Sequence, residues 1–361
     1  DQGAAIDVVG RKGETAAAFA SKRGSTEIVS LLGKDSQASL PPEAKAVESI
    51  EAADISRQAA IEKSLALLQA CDLPFFRASG CVACHQHSTT SLAASIAEGQ
   101  GLPIDQSLAA QRQKLLAFEL KKQIPGVMQR HKIGGTTHRI GYLTWGLAAS
   151  QYAPDMSTDA AVYELSGLQL KNGSWVSDAH RPPTEYSPFS ATAVCVRAMQ
   201  DYAPPGLERQ FQQQIKRARK WLESATPGEN QEDAFRLLGL KWTNASQEMI
   251  EKARDQLLAS QNKDGGWSQL PQLSSDAYAT GLALYALHIG GNLATDSPEY
   301  KKGVSYLLRT QDSQGAWHVK SRSYGFQPYF ESGFPYEHDQ WISAGATGWA
   351  TAALLLAAQP G

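Results

Sequence analysis

Residues 260–267 read SQNKDGGW, and the same pattern, Q-x-x-x-G-x-W, occurs again as LQLKNGSW at 168–175 and as TQDSQGAW at 310–317. The three tryptophans lie 92 and 50 residues apart. A weaker copy is marked by Trp221, which follows Trp175 by 46 residues. Regular spacing of this kind predicts a protein built from repeated units of about 46–50 residues.

Each unit divides into two helices of different character. The first is amphipathic, as in residues 248–261, where Ile250, Ala253 and Leu257 recur at helical spacing. The second is rich in leucine and small residues, as in 275–289, which is typical of a helix buried on all sides. This alternation predicts outer helices near 48–70, 106–124, 158–170, 207–225, 246–261 and 297–311, and inner helices near 89–99, 137–152, 187–202, 231–240, 275–289 and 343–358. The fold class predicted is all-α: six helical hairpins closed into an α/α toroid, with the inner helices lining a central cavity and the hairpin connections at one end.

The three motifs resemble the QW repeats of squalene-hopene cyclases and of related prenyltransferase-type proteins, and the resemblance covers residues 47–361. It implies an α/α toroid in which the glutamine and the tryptophan of each motif stack and tie a helix end to the next unit. It does not imply the family's chemistry, because no D-x-D-D run for alkene protonation occurs. Asp276 lies in a stretch that resembles a prenyltransferase zinc ligand, but Ala279 stands where a histidine is needed. Asp276 is therefore predicted to be a helix N-cap or a cavity-lining carboxylate.

The first 46 residues differ from the repeats. Residues 1–36 resemble one ankyrin repeat, a helical hairpin, and residues 37–46 have the composition of a linker. A single ankyrin repeat cannot bury its own apolar face. We therefore expect either more repeats upstream or docking of this segment on the toroid, and the segment is a candidate module for protein docking.

Composition excludes several classes of partner. Lys and Arg number 34 against 36 Asp and Glu, a net charge of -2, which argues against nucleic acid. The longest apolar stretch, 344–358, is too short to span a bilayer, and no signal peptide is recognisable.

The strongest chemical motif is Cys81-Val82-Ala83-Cys84-His85, the C-x-x-C-H attachment pattern of c-type haem. Two thiols at this spacing can reach one porphyrin edge, and His85 can then ligate the iron. The motif predicts one covalent haem c, bound by Cys81 and Cys84. A disulfide or redox pair, zinc held with His85 or His87, and free buried thiols remain open alternatives. Cys71 and Cys195 have no assigned role.

The repeat frame places His85 at the loop-bearing end, where a second axial ligand is expected. Histidines and a methionine of units two and six are the candidates, since these units flank unit one in a closed ring. They are Met128, His131, His138, His318 and His338. A five-coordinate iron is the alternative.

Two long connections are predicted to cover the haem as lids. In unit three, a stiff Pro-Pro stretch carries His180 and Arg181; in unit six, residues 320–341 carry Tyr324, Tyr329 and Tyr336. Equally, their aromatic residues fit simple packing over the toroid's end.

Three functions follow. The first is a c-type haem protein that transfers electrons, or a haem subunit of a redox assembly, with a redox partner protein. The second is a toroid without haem that binds an apolar or isoprenoid-like ligand, and the third is a haem-dependent oxidase or peroxidase. Covalent haem implies a periplasmic or cell-surface location in bacteria, reached with a signal that this sequence does not contain.

Overall fold

A computed structural model describes residues 8–9, 15–17, 56–80, 86–129, 131, 134–323 and 329–358. These ranges contain twelve α-helices and no strand, which confirms the predicted all-α class. Odd-numbered helices are outer and even-numbered helices are inner. The helices are α1 (Arg57–Ser79), α2 (His87–Gly99), α3 (Gln106–Met128), α4 (Thr136–Ala149), α5 (Met156–Leu168), α6 (Pro188–Tyr202), α7 (Glu208–Ser224), α8 (Asn230–Trp242), α9 (Gln247–Ala259), α10 (Ala277–Tyr285, continued by a π-turn Ala286–Gly290), α11 (Pro298–Thr310) and α12 (Gln340–Ala357).

The predicted boundaries agree with these helices to within three residues, except at the C-terminal ends of α1 and α3, which continue through Pro74 and Pro125. The predicted start of the first outer helix at residue 48 lies outside the described residues. The sequence predicted an end at residue 70, but α1 continues through Pro74 to Ser79. Its buried residues include Leu65, Leu68 and Phe75, so the apolar stripe continues past the proline and its packing offsets the hydrogen bond that the proline removes. Most of the ankyrin-like segment 1–36, and the whole linker 37–46, lie outside the described residues.

The glutamine of each motif joins neighbouring units. Gln261 Nε2 donates to the Gly265 carbonyl at 2.9 Å and to the Glu299 carbonyl of α11 at 2.9 Å. Gln169 makes the equivalent pair of bonds to the carbonyls of Gly173 and Gln214. Gln311 makes them to the carbonyls of Gly315 and Ala60. Because Ala60 lies on α1, the Gln311 contact joins the last unit to the first and closes the ring.

The tryptophan of each motif joins the outer and inner helices of its own unit. Trp267 Nε1 donates to the Leu257 carbonyl at 2.9 Å, and the Trp267 backbone N–H donates to Thr280 Oγ1 at 2.9 Å. The same pair of contacts joins Trp175 to Leu165 and Thr192, and Trp317 to Leu307 and Thr347. The threonine in the inner helix is thus a third part of the repeat that the sequence pattern did not single out.

Aromatic side chains fill the centre of the ring at one level. Trp145 of α4 lies 5.4 Å from Trp242 of α8, 6.2 Å from Tyr285 of α10 and 5.7 Å from Trp349 of α12, measured between ring centroids. Helices α4 and α10 stand on opposite sides of the ring, so their side chains can meet only across its centre. The predicted central cavity is therefore closed by aromatic rings at this level. No helix in the described ranges combines the length and the apolar character that crossing a bilayer requires.

Candidate functional site

We call the loop-bearing end of the toroid the mouth. It comprises the first turns of the inner helices and the described parts of the connections 169–187, 262–276 and 311–339. A buried charged network lies here. Arg322 Nε donates to Gln269 Oε1 at 2.7 Å, and Arg322 Nη2 lies 3.1 Å from Glu229 Oε2. The Arg322 and Glu229 side chains are only 8% and 9% exposed, so their ion pair lies in a low-dielectric setting. Together with Gln269, this pair joins units four, five and six.

Two carboxyl groups of the mouth titrate near neutral pH. Burial raises the pKa of Glu229 to about 7, against the opposing effect of Arg322. Burial likewise raises the pKa of Asp276 to about 6, although the Ala279 N–H donates to this carboxylate. Asp276 is the N-cap of α10, which confirms one of its two predicted roles. Both groups can therefore gain or lose a proton under physiological conditions.

The first turns of the inner helices bury polar atoms that have no protein partner in the described part of the chain. Among them are both amide atoms of Gln86, Ser88 Oγ and Thr90 Oγ1 at α2, His138 Nδ1 at α4, and both amide atoms of Asn230 at α8. Buried polar groups normally have partners, so these atoms call for water or for a ligand that carries donors and acceptors. Sequence reasoning singled out His138 but missed the others; their signal was a polar first turn on otherwise apolar helices.

His138 is held as a neutral imidazole. It is completely buried, its Nε2 lies 2.8 Å from Ser190 Oγ, and the Ser190 hydroxyl donates to the Ser187 carbonyl. Burial lowers the pKa of His138 to about 4, so the ring carries no charge at neutral pH. An unpartnered nitrogen on a neutral ring can accept a hydrogen bond or bind a metal.

The haem-attachment residues Cys81, Cys84 and His85 lie outside the described residues, but their flanks are described. Helix α1 ends at Ser79, its C-cap Gly80 has a φ of +63°, and α2 begins at His87. The His87 Nε2 lies 3.0 Å from the Asp72 carbonyl, which engages this ring nitrogen. The described residues that flank the motif, Gly80 and Gln86, therefore lie at the end of α1 and at the start of α2.

The other predicted iron ligands have different surroundings. His318 Nε2 lies 2.9 Å from Asp339 Oδ2, and its ring stacks on Tyr336 at 4.5 Å. The His338 ring lies 4.4 Å from that of Tyr329. His131 is exposed, and the Met128 side chain lies outside the described part. Among the described residues, no three His, Cys, Asp or Glu side chains are arranged to hold a metal ion.

The two predicted lid connections contact each other. The Arg181 guanidinium lies 5.6 Å from the Trp341 ring centroid and 3.9 Å from Glu185 Oε1. His180 packs edge-on against Tyr186 at 5.8 Å. Tyr324 lies outside the described residues. The connection of unit six also reaches unit one, because the Phe330 ring packs against Phe75 of α1 at 5.2 Å.

The two cysteines without an assigned role are buried free thiols. Cys71 lies on α1 and Cys195 on α6, and neither forms a disulfide. Burial raises the pKa of Cys71 to about 12, and it raises the pKa of Cys195 well above its ordinary value. Both thiols are therefore protonated at neutral pH.

Comparison with known proteins supports the cyclase-like toroid. Residues 234–339 match the family model described as the squalene-hopene cyclase C-terminal domain. A squalene-hopene cyclase of Bradyrhizobium diazoefficiens is 37% identical over 98 residues, which is 24% of this chain and only 14% of the relative. The match therefore spans a small part of that enzyme.

Solved structures share the fold over most of the chain. The type II terpene cyclase MstE from Scytonema matches with a TM-score of 0.53 at 14% identity, covering 83% of this chain and 97% of that one. A variant of that cyclase in complex with geranylgeranyl dihydroxybenzoate, its substrate, gives a TM-score of 0.52 at 14% identity, with coverages of 83% and 97%. A protein from Actinoplanes gives 0.53 at 12% identity, with coverages of 84% and 100%. At these identities the similarity establishes the fold alone.

Proposed function

We propose that this protein binds an amphipathic ligand of the isoprenoid class, with its apolar chain towards the aromatic centre and its polar group in the mouth. The observation that carries the proposal is the layering of the interior. Rings from four inner helices meet at the centre, and the first turns of the inner helices bury polar atoms that lack protein partners. Apolar rings beside a few convergent polar groups are the lining that sites for such ligands have.

The proposal is for binding rather than for cyclisation. The solved cyclase in the comparison holds geranylgeranyl dihydroxybenzoate, which has an isoprenoid chain and a polar ring. This chain lacks the D-x-D-D run that alkene protonation uses in the resembling family. Glu229 and Asp276 give the mouth two titratable carboxyls near the proposed polar group, and the pKa of each is raised by burial. These carboxyls can donate a hydrogen bond to the ligand when they are protonated.

Geranylgeraniol is a direct probe of this site. At about one hundred times its dissociation constant, a ligand raises the free energy of unfolding by about 2.7 kcal/mol. We expect Asn230→Leu to leave the stability of the ligand-free protein unchanged or higher, because both amide atoms of Asn230 lack partners. The same change should weaken binding about 10- to 100-fold, because the hydrogen bond that the amide makes to the ligand is lost.

Asn172→Leu is the matched control. Its Oδ1 accepts from the Ser174 backbone N–H and hydroxyl, so its loss should lower stability and leave ligand affinity intact. The proposal fails if geranylgeraniol does not stabilise the wild type, or if Asn230→Leu destabilises the free protein and leaves binding unchanged.

The second candidate is a c-type haem protein, favoured by the C-x-x-C-H motif. The surroundings of the motif support this candidate. The described residues on either side of it lie at the mouth, near the unpartnered side-chain amide of Gln86 and the connection of unit six. These surroundings fit the group: Cys81 and Cys84 would hold haem c, and His85 would ligate its iron. Among the distal candidates, His138 offers a buried neutral ring with an unpartnered nitrogen. The haem would supply one-electron chemistry, which implies a redox partner protein and a periplasmic or cell-surface location.

The absorbance spectrum of the reduced protein tests this candidate. Covalent haem gives a sharp α band that survives extraction with acidified acetone, and Cys84→Ala should shift or abolish it. An α band that is absent, or that is unchanged in Cys84→Ala, removes the haem and leaves the ligand-binding proposal standing.

A further inference from the structure

An apolar groove of about 1210 Å³ lies on the outside of the toroid, between the neighbouring outer helices α5 and α7. One wall is the outward stripe of α5, whose members recur at helical spacing. They are Met156, Ala160, Tyr163 and Gly167. Gln210 and Gln214 of α7 form the opposite wall, and Leu170 and Val176 extend the apolar surface towards the mouth.

The apolar side chains of this groove are exposed to an unusual degree. Met156 is 76% exposed and Tyr163 is 56% exposed, while Val176 is 48% and Leu170 is 41% exposed. These four account for half of the large hydrophobic side chains found exposed in the described residues. A contiguous apolar patch of this kind marks an interaction surface.

The two helices that form the groove carry opposite charge. Helix α5 contains Asp159 and Glu164 and no basic residue, and both carboxylates line the groove. Helix α7 contains five basic residues and two acidic ones. Three of the basic side chains are exposed and form no hydrogen bond or ion pair with any described residue, namely Arg209, Lys216 and Lys220. An acidic helix with an apolar stripe thus lies beside a basic helix on one face.

We propose that this face is the interface of a homodimer, in which α5 of each copy packs against α7 of the other. A two-fold axis parallel to the helices and passing between α5 and α7 produces this arrangement, and every contact then occurs twice. An axis perpendicular to the helices would instead set α5 on α5 and α7 on α7, which places like charges together at a cost in free energy. The charges therefore favour a second copy as the occupant and also select its orientation. The contact is independent of what the mouth binds.

Contacts between the two helices indicate which charges meet. Gln210 Nε2 donates to Ser166 Oγ at 3.2 Å, and Gln214 Nε2 donates to the Ser166 carbonyl at 2.8 Å. Because each residue rises about 1.5 Å along a helix, Glu164 and Arg209 lie at nearly the same height on the toroid. Rotation about an axis parallel to the helices preserves height. Glu164 of one copy therefore faces Arg209 of the other copy, and the symmetric pair forms on the other side of the axis.

The face is large enough for a stable dimer. Helix α7 has 17 residues, a length of about 25 Å at about 1.5 Å per residue. Three neighbouring outer helices, spaced about 8–10 Å apart, span a width of about 25–30 Å. The resulting area of roughly 600–750 Å² approaches the roughly 800 Å² that each partner contributes to a standard interface.

Sedimentation velocity of the full chain tests the dimer. We expect a monomer–dimer equilibrium, and we expect Tyr163→Asp to raise the dissociation constant at least about tenfold, as for a central interface residue. Phe118→Asp is the control, because Phe118 is 54% exposed on α3 and its ring packs on Phe76 of α1 at 6.3 Å, on the side away from the groove. Unchanged helical circular dichroism of each variant shows that the toroid is still folded.

A charge swap tests the orientation. Glu164→Arg alone and Arg209→Glu alone should each raise the dissociation constant at least about tenfold, because each sets like charges opposite one another in both symmetric pairs. The double variant should return to within about threefold of the wild type, because both pairs form again with their signs exchanged. A substitution that merely disturbed the fold of α5 or α7 would not be rescued in this way.

Several results would overturn the proposal. A chain that stays monomeric up to about 100 μM would leave the groove to a different protein or to another part of the same chain. A dimer that Tyr163→Asp and Phe118→Asp weaken equally would place the interface elsewhere. A dimer that the single charge reversals weaken and the double variant does not restore would reject the packing of α5 on α7.

Discussion

Closure of the ring depends on a glutamine that can be replaced without changing volume much. Gln311 is 5% exposed, and its Nε2 donates to the Ala60 carbonyl of α1 at 2.9 Å and to the Gly315 carbonyl at 3.1 Å. Gln311→Met keeps the length of the side chain and removes both hydrogen bonds. At about 1 kcal/mol for each bond, the free energy of unfolding should fall by up to about 2 kcal/mol, a roughly thirtyfold change in the equilibrium constant, less what is regained because the buried Gln311 Oε1 has no partner.

Gln261→Met is the matched comparison, because Gln261 makes the same two bonds at an internal junction. Urea unfolding should give similar losses for the two variants, whereas hydrogen exchange should separate them. Protection should fall at the N-terminal turns of α1 in Gln311→Met and at the start of α11 in Gln261→Met. If Gln311→Met is as stable as the wild type while Gln261→Met loses about 2 kcal/mol of unfolding free energy, then the contact between the first and last units does not stabilise the ring.

Three further predictions follow from particular contacts. Arg112 and Asp72 form an ion pair at 2.8 Å, and their side chains are only 2% and 3% exposed. Arg112→Met should therefore lower the free energy of unfolding, measured with heat or urea, by about 3–5 kcal/mol. Arg254→Met, which removes a more exposed ion pair, should lower it by less than about 1 kcal/mol. An equal loss in both would contradict the role of burial. Gly265→Ala should lower the stability of the protein much more than Gly206→Ala. Both glycines have a positive φ, +87° and +90°, but only at Gly265 would a Cβ lie 2.7 Å from the Lys302 carbonyl oxygen. Equal melting temperatures would refute the close approach. Burial raises the pKa of Glu229 in the folded protein to about 7, so its contribution to stability is present below about pH 4.5 and is lost as the pH rises through 7. Glu229→Gln should therefore flatten this part of the curve of stability against pH. An unchanged slope would argue against a buried carboxyl at this position.

The repeat spacing predicted much of the fold because it records local requirements. Gln261, Gly265 and Trp267 each contact backbone at a fixed offset, and the same contacts recur in each copy of the motif. The pattern did not identify Thr280, because threonine is common in helices and its role appears only when the tryptophan backbone meets it. The continuation of α1 beyond Pro74 was also missed, since local preference at a proline favours an end and only packing on neighbouring helices overrides it.

The candidate site was predicted less completely. The C-x-x-C-H motif and the N-cap Asp276 are recognisable from adjacent residues alone. The contact between Arg322 and Glu229 joins residues 93 positions apart, and the unpartnered atoms of Gln86 and Asn230 are defined by burial. Neither a long-range contact nor burial can be recognised from a pattern of adjacent residues in the sequence.

The sequence by itself determined the all-α class, the number of helical hairpins and the end of the toroid at which their connections lie, because hydrophobic periodicity and turn chemistry act within a few residues. Only the tertiary structure decided that aromatic rings fill the centre, that buried carboxyls in the mouth titrate near neutrality and that the outer face of α5 is left uncovered. Those properties arise where separate units meet, since burial and the local dielectric depend on every neighbour in space rather than on neighbours along the chain.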